Sequence, residues 1–171
     1  MSAPHSTDIA CAMAHGEVPA PTDGRRLVAV FASPVALQLV HLAAHVGFAC
    51  VVVDPVRDLP GVRTVRSAGE AGLDATTDVV VTDHDRPELG DVLAAVLEQD
   101  VRWVGVMGSP RHTAPHVAAL AERGVDPQDV ARVHRPIGLD IGSRSPAEIA
   151  VSTVAGLLAD RNGRSGGTYE A

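Results

Sequence analysis

The sequence predicts a doubly wound α/β fold, in which a mainly parallel sheet carries helices on both faces. From Leu27 onward, short apolar runs alternate with helical stretches. Most of these runs are apolar throughout rather than at every second position, which is typical of parallel strands buried on both faces. Hydrophobic residues make up 46% of the 171 residues and aromatic residues only 2%, so valine, alanine and leucine must fill the core.

The elements are predicted in alternation along the chain. Strands are expected at 27–31, 48–54, 63–65, 78–82 and 103–107. Helices are expected at 35–46, 88–98, from beyond 107 to about 123, at 126–133 and at 146–160. Residues 1–24 are predicted to be a flexible leader, 25–162 a single domain and 163–171 a flexible tail.

Local signals set the ends of these helices. In the first helix, Ser33 suits the N-cap and Pro34 the first helical position, and Gly47 suits the end. The segment 88–98 has its apolar residues at helical spacing. Ser145, Pro146 and Glu148 form the pattern of a capping box at the start of the last helix.

Composition excludes several classes of function. The net charge is −7 without a basic cluster, which argues against nucleic acid and anionic membranes as partners. No apolar run reaches the length of a membrane span and no secretory signal is recognisable, so a cytoplasmic location is expected. All 14 basic residues are arginine, which removes Schiff-base chemistry and the P-loop lysine.

Cysteine and histidine spacing gives weak signals for metal. The two cysteines form no C-x-x-C motif, and Cys50 fits a small buried hydrophobe in a strand. His41/His45 and His112/His116 are spaced to share a helix face, as in zinc sites, but the glutamate of H-E-x-x-H is missing. Surface or half-buried histidines are the favoured interpretation, and no metal site is predicted.

The turn after the first strand has the position of a dinucleotide-binding loop without its glycines. Ala32, Ser33 and Pro34 stand there, and Pro34 has no N–H to donate to a phosphate. Asp54 ends the second strand at a spacing near that of a ribose-binding acid. A solvated loop aspartate is the favoured alternative. NAD(P) binding by an oxidoreductase is therefore a lesser hypothesis.

A histidine between acids follows the fourth strand. His84 and Asp85 lie where the carboxyl end of a parallel strand meets the ligand-binding edge of a sheet. One interpretation is proton transfer or substrate contact by His84. The other is that Asp85 caps the next helix, and the pattern leaves both open.

The end of the fifth strand predicts an anion site. Gly108 and Ser109 lead toward a helix, whose first N–H groups attract anions, and Arg111 can grip a phosphate. The alternative is that Ser109 is only an N-cap. Pro115 predicts a kink or a late start of that helix.

A glycine-bearing loop precedes the last helix. Gly138, Asp140 and Gly142 lie among apolar residues, and the two glycines indicate special backbone angles or close approach of another group. The alternative is a loop that only docks on the edge of the sheet.

Three segments resemble one family. The stretch HRPIGLDIGSRSPAEIAVS, with VGVMGSPR and VVVTDHD, is similar to the XdhC/CoxI family of xanthine dehydrogenase accessory proteins. The resemblance runs from about Leu27 to Gly163. It implies a Rossmann-like domain that binds molybdenum cofactor and helps deliver it to molybdenum hydroxylases, an accessory protein rather than a catalyst.

The resemblance also implies site residues and partners. Gly108, Ser109 and Arg111 would face the phosphate of the cofactor, with Gly138, Asp140 and Gly142 shaping the neighbouring wall. The expected partners are subunits of a molybdenum hydroxylase or a separate protein carrying the amino-terminal domain of the family; a homo-oligomer is a further expectation. The family's glycine turn after the first strand is lost, so a ligand-free interaction scaffold is the main alternative.

Overall fold

The computed structural model describes residues 9–17, 24–109 and 113–168, which form a six-stranded parallel sheet flanked by helices. The strands are β1 (Arg26–Val30), β2 (Ala49–Val53), β3 (Thr64–Val65), β4 (Thr77–Val81), β5 (Trp103–Val106) and β6 (Val133–His134). The helices are α1 (Ile9–Ala14), α2 (Pro34–His45), α3 (Ala68–Ala71), α4 (Leu89–Leu97), α5 (Pro115–Ala121), α6 (Pro127–Val130) and α7 (Pro146–Arg161).

The sheet has the strand order β3-β2-β1-β4-β5-β6, and all its pairings are parallel. This is the order of Rossmann-type folds, and it confirms the predicted doubly wound class. The order reverses between β1 and β4, so the topological switch point lies at their carboxyl ends. Ligands of such folds bind in the crevice at that position.

Two hydrophobic cores cover the two faces of the sheet. One packs α2 and α7 against side chains such as Leu27, Ala29 and Val80. The other packs α3, α4 and α5 against alternate side chains such as Val28 and Val79. Successive side chains of a strand point to opposite faces, so strands covered on both sides are apolar along most of their length, and the polar residues of β4, Thr77 and Asp78, are its first two.

The predicted helix starts are confirmed in α2 and α7. Ser33 accepts a hydrogen bond from the N–H of Ala36 (3.0 Å), with Pro34 at the first helical position. In α7 both hydrogen bonds of the capping box between Ser145 and Glu148 are present. These starts depend on contacts within a few residues, which sequence patterns report directly.

Short elements differ from the predictions. The predicted helix at 126–133 is only one turn, α6, and its last residue belongs to β6. The helices α1 and α3 were not predicted, and α1 lies within the predicted leader. Elements of this length carry too few residues for a hydrophobic period to be recognised.

A buried ionic cluster ties α7 to the amino-terminal edge of the sheet. Asp78 on β4 is fully buried and accepts hydrogen bonds from Nε of Arg102 (2.5 Å) and Nε of Arg161 (2.8 Å). Arg102 also contacts Asp160, at 2.6 Å. The two guanidinium groups thus neutralise the buried carboxylate of Asp78 and the more exposed carboxylate of Asp160. The cluster links the end of α7 to the start of β4.

The helices are modest in length. The longest of those in the described ranges, α7, has 16 residues, and none of these helices combines the length and apolar character needed to cross a membrane.

Candidate functional site

The switch point between β1 and β4 is bridged by two hydroxyl groups. The side-chain oxygens of Ser33, after β1, and Thr82, after β4, lie 2.9 Å apart and share a hydrogen bond. Thr82 also donates to the carbonyl of Phe31 (2.9 Å) or of Val30 (3.1 Å). The hydroxyl groups at the entrance where a dinucleotide phosphate would sit are thus hydrogen-bonded within the chain.

Asp54 is a buried structural acid, so the interpretation as a solvated loop aspartate is wrong. Its side chain is fully buried at the end of β2. Its carboxylate accepts hydrogen bonds from the backbone N–H of Ala32 (2.8 Å), Val56 (2.8 Å) and Arg57 (2.9 Å). These N–H groups fix the turns after β1 and β2, which explains why an acid stands here.

Arg86 crosses the switch point from the loop after β4. Its guanidinium pairs with Asp54 (3.1 Å) and Glu88 (3.2 Å), and it lies 4.8 Å from the centre of the Phe31 ring. The side chain is only 10% exposed. It covers the carboxyl end of β1, where Rossmann folds expose their nucleotide loop. A ribose-binding role for Asp54 stays a prediction, and its two oxygens already have partners in the chain.

The pKa of Asp54 predicts how stability depends on pH. Burial alone would raise it, but hydrogen bonds from Ala32, Arg57 and Val56 and from the Arg86 guanidinium lower it from 3.8 to about 2. A pKa depressed in the folded state contributes stability above 3.8 that is lost as the pH falls toward 2. We expect urea denaturation between about pH 5 and pH 2 to show this loss, and Asp54→Asn to lack that part of it. Equal acid sensitivity in both proteins would contradict the assignment.

His84 and Asp85 lie immediately before Arg86 in the loop after β4. Nε2 of His84 is 3.6 Å from Oδ1 of Asp85, whose side chain is 86% exposed. The prediction that Asp85 caps the next helix is wrong, since α4 begins after Glu88 without a side-chain cap. A half-buried His84 next to an exposed acid on the ligand-binding edge fits substrate contact, which stays a prediction.

The end of β5 brings a glycine and an arginine together. A side chain at Gly108 would meet the guanidinium of Arg135, because an added Cβ would lie 2.6 Å from its Nε and Nη2. Nη2 of Arg135 donates a hydrogen bond to the carbonyl of Ser109 (3.1 Å). Arg135 follows β6 directly, so the ends of β5 and β6 lie together. The positive charge of the Arg135 guanidinium is placed against the backbone of Gly108. We call Gly108, Ser109 and Arg135 the β5–β6 cradle.

The predicted helix start at Ser109 is wrong. The helix α5 begins at Pro115, which is the late start that the proline predicted as one of two alternatives. Its N-cap is Ala114, which makes no side-chain hydrogen bond. Proline fits the first helical position because its missing N–H has no partner there. Arg111 lies outside the described residues, so its role stays a prediction.

The glycine loop before α7 packs closely on that helix. Gly138 has φ of 84°, and a Cβ there would lie 2.5 Å from Oγ of Ser152 and 3.2 Å from its carbonyl carbon. Leu139 donates its N–H to the carbonyl of Ser152 (3.2 Å). Gly142 also has a positive φ, of 69°. The expected special backbone angles and close approach are both present, and the approaching group is α7.

Asp140 and its neighbours are exposed at the far end of this loop. Asp140 is exposed, and Ile141 has half of its side chain in solvent. Asp140 and the two glycines follow Arg135 in the connection between β6 and α7, and both the wall expected of them and their contact with a cofactor stay predictions.

The histidine pairs and Cys50 give no metal cluster within the described ranges. His41 and His45 are exposed on α2, where Nδ1 of His45 lies 2.7 Å from the carbonyl oxygen of His41. His112 lies outside the described residues and His116 is buried. Cys50 is half-buried, and burial raises the pKa of its thiol to about 11, which keeps the sulfur protonated and inert.

Arg86, Arg135 and His116 were not predicted as site residues. Arg135 precedes the glycine loop, and recognising the two-residue strand β6 would have placed it at the ligand-binding edge. His116 was noted only as half of the His112/His116 pair. Arg86 has no local pattern, because the contact with Asp54 that positions it joins residues far apart along the chain.

The geometry defines a Rossmann-type domain whose switch-point side chains bind one another and whose adjoining strand ends carry an arginine–glycine cradle. The family model of the XdhC Rossmann domain matches residues 27–157, and the chain belongs to this family.

Two curated bacterial proteins are similar to this chain. The Escherichia coli K12 protein YqeB, described as uncharacterized, is 31% identical over 153 residues, which are 83% of this chain and 28% of YqeB. A Bacillus subtilis 168 protein, described as a probable xanthine dehydrogenase subunit, is 27% identical over 148 residues, which are 80% of this chain and 43% of that protein.

A solved structure is also similar to this chain. The crystal structure of a xanthine dehydrogenase from Bacillus halodurans superposes with a TM-score of 0.66 at 26% identity, over 81% of this chain and 45% of that one. The chain thus spans less than half of the length of each of these three proteins.

Proposed function

We propose that this chain is a maturation module of molybdenum hydroxylases, which binds molybdenum cofactor and presents it to a client enzyme in the cytoplasm. The observation that carries the proposal is membership of the XdhC family, with relatives named as xanthine dehydrogenase proteins. The client would be a hydroxylase of the xanthine or carbon monoxide dehydrogenase type, with a separate amino-terminal-domain protein of the family or a second copy of this chain as further partners.

The β5–β6 cradle fits the anionic part of this cofactor. Molybdopterin carries a phosphate ester, and guanidinium groups form strong charge-assisted hydrogen bonds with phosphate. The guanidinium of Arg135 packs against Gly108 and supplies positive charge at this strand end, on a chain whose net charge is −7. The cofactor would supply the metal and pterin chemistry, and the chain would hold and orient it.

Two other functions are less favoured. A nicotinamide-dependent oxidoreductase needs the turn after β1, where Ser33 already caps Ala36 and the N–H of Ala32 is bound to Asp54. A ligand-free scaffold would explain why the switch-point side chains bind one another, and the hydrogen bond of Arg135 to the carbonyl of Ser109 is compatible with it. Membership of the family favours the cofactor-binding module.

Binding measurements on variants of Arg135 test the proposal. We expect Arg135→Gln to weaken the binding of molybdopterin roughly tenfold to hundredfold, since a hydrogen bond to a charged group contributes about 1.5–3 kcal/mol. Isothermal titration and the thermal midpoint of the free protein would separate binding from folding. The matched control is Arg132→Gln, which lies outside the cradle and removes a surface pair with Asp129 (3.0 Å) and a hydrogen bond to the carbonyl of Leu97 (3.4 Å).

The comparison ligands make the test specific. NAD and NADP are expected to give no heat in the same titration. Molybdopterin binding unaffected by Arg135→Gln would remove the cradle as the site, and tight NAD(P) binding would favour the oxidoreductase instead.

A further inference from the structure

His116 is a buried imidazole with an unused nitrogen. It is the second residue of α5, its side chain is 4% exposed, and Nδ1 is buried without a hydrogen-bond partner in the part of the chain that the structure describes. Leaving a buried polar atom without a partner costs about 1–3 kcal/mol. Such atoms need an explanation, and a ligand that supplies the missing partner is one.

The surroundings of His116 identify the kind of partner. It lies within electrostatic reach of Arg135, whose guanidinium rests against Gly108. Burial lowers the pKa of His116, and the charge of Arg135 lowers it further, so both favour the neutral ring. A neutral imidazole can carry its proton on Nδ1 and donate it. A positive group beside a hydrogen-bond donor matches a phosphoryl group.

We infer that His116 is a ligand-binding residue of the β5–β6 cradle, where its Nδ1–H donates to an oxygen of a phosphoryl group that Arg135 attracts. This deepens the proposed function and rests on the same site. The residue would contribute specificity as well as affinity, because a neutral donor adds direction to the non-directional attraction of the guanidinium.

The unpartnered Nδ1 of His116 also predicts how a substitution changes the stability of the ligand-free protein. Replacing a buried, unpartnered polar atom by an apolar one removes its desolvation cost. His116→Phe keeps a planar ring and is therefore expected to leave the thermal midpoint of the ligand-free protein unchanged or raised. If His116 served folding alone, the same substitution would lower the thermal midpoint.

The test titrates the full chain with inorganic pyrophosphate, which has the phosphoryl chemistry without the pterin. We expect His116→Phe to weaken pyrophosphate binding about tenfold, and His116→Asn, which keeps a polar amide close to the position of Nδ1, to recover part of the loss. In the wild type, the ¹⁵N resonance of Nδ1 should shift on adding pyrophosphate. The matched control is His45→Phe on the exposed face of α2, which should change nothing.

The outcomes separate this inference from the proposed function. Pyrophosphate binding that depends on His116, in a protein that does not bind molybdopterin, would support the inference and overturn the proposed function. Molybdopterin binding that His116→Phe leaves unchanged would overturn the inference alone. Absence of pyrophosphate binding by the wild type, or an unmoved Nδ1 resonance, would also overturn it. Should His116→Phe fail to fold, the resonance and the asparagine variant still decide.

Discussion

Asp54→Ala is expected to lower the free energy of unfolding by about 3–5 kcal/mol, the size of loss seen when one partner of a buried ion pair is removed. The Asp54 carboxylate is fully buried and accepts hydrogen bonds from three backbone N–H groups and from Arg86. Without it, the 10% exposed guanidinium keeps only Glu88 as its carboxylate partner among the described residues. Chemical denaturation at pH 7 measures the change.

The loop after β2 offers a matched control for this prediction. Asp58 pairs with Arg66 at 2.7 Å, but its side chain is 71% exposed. Exposed pairs contribute about 0–1 kcal/mol, so Asp58→Ala should be nearly neutral. An Asp54→Ala protein as stable as the Asp58→Ala protein would mean that Asp54 is free for a ligand, and would reopen the nucleotide hypothesis.

Asp78→Ala is the second change with a large expected effect, again about 3–5 kcal/mol. It removes the buried carboxylate that holds Arg102 and Arg161, and the Arg161 side chain is only 9% exposed. Because Arg161 is the last residue of α7, the end of that helix should loosen from β4. Hydrogen exchange of α7 amides would report the loosening together with the loss in overall stability.

Asp160→Ala provides the control at this edge of the sheet. Asp160 binds the same Arg102 at 2.6 Å, but its side chain is 47% exposed. A loss of less than about 1 kcal/mol is therefore expected. Equal losses for Asp78→Ala and Asp160→Ala would show that burial of Asp78 contributes nothing to the cluster.

The class of fold could be predicted because its signals are local. The apolar run from Val79 to Val81 in β4 and the capping box of Ser145 and Glu148 depend on neighbours within a few residues, and the structure has both. Membership of the family followed from a continuous stretch of residues before and within α7.

The chemistry of the ligand-binding edge could be predicted only in part. The spacing of Asp54 after Ala32 is recognisable in the sequence. The sequence did not predict that these two residues, 22 positions apart, form a hydrogen bond, or that Arg86 covers them. The cradle of Gly108 and Arg135 joins two strand ends that are far apart along the chain, through a two-residue strand. Long-range contacts of this kind leave no periodic pattern in a single sequence.

The molybdenum content of the chain tests the central claim most directly. The protein would be incubated with molybdenum cofactor, separated by gel filtration, and assayed for molybdenum and pterin fluorescence, beside Arg135→Gln and Arg132→Gln. We predict that wild type and Arg132→Gln retain molybdenum and pterin together in proportion to protein, and that Arg135→Gln retains far less. A wild-type protein that leaves the column without either would contradict a role in carrying the cofactor.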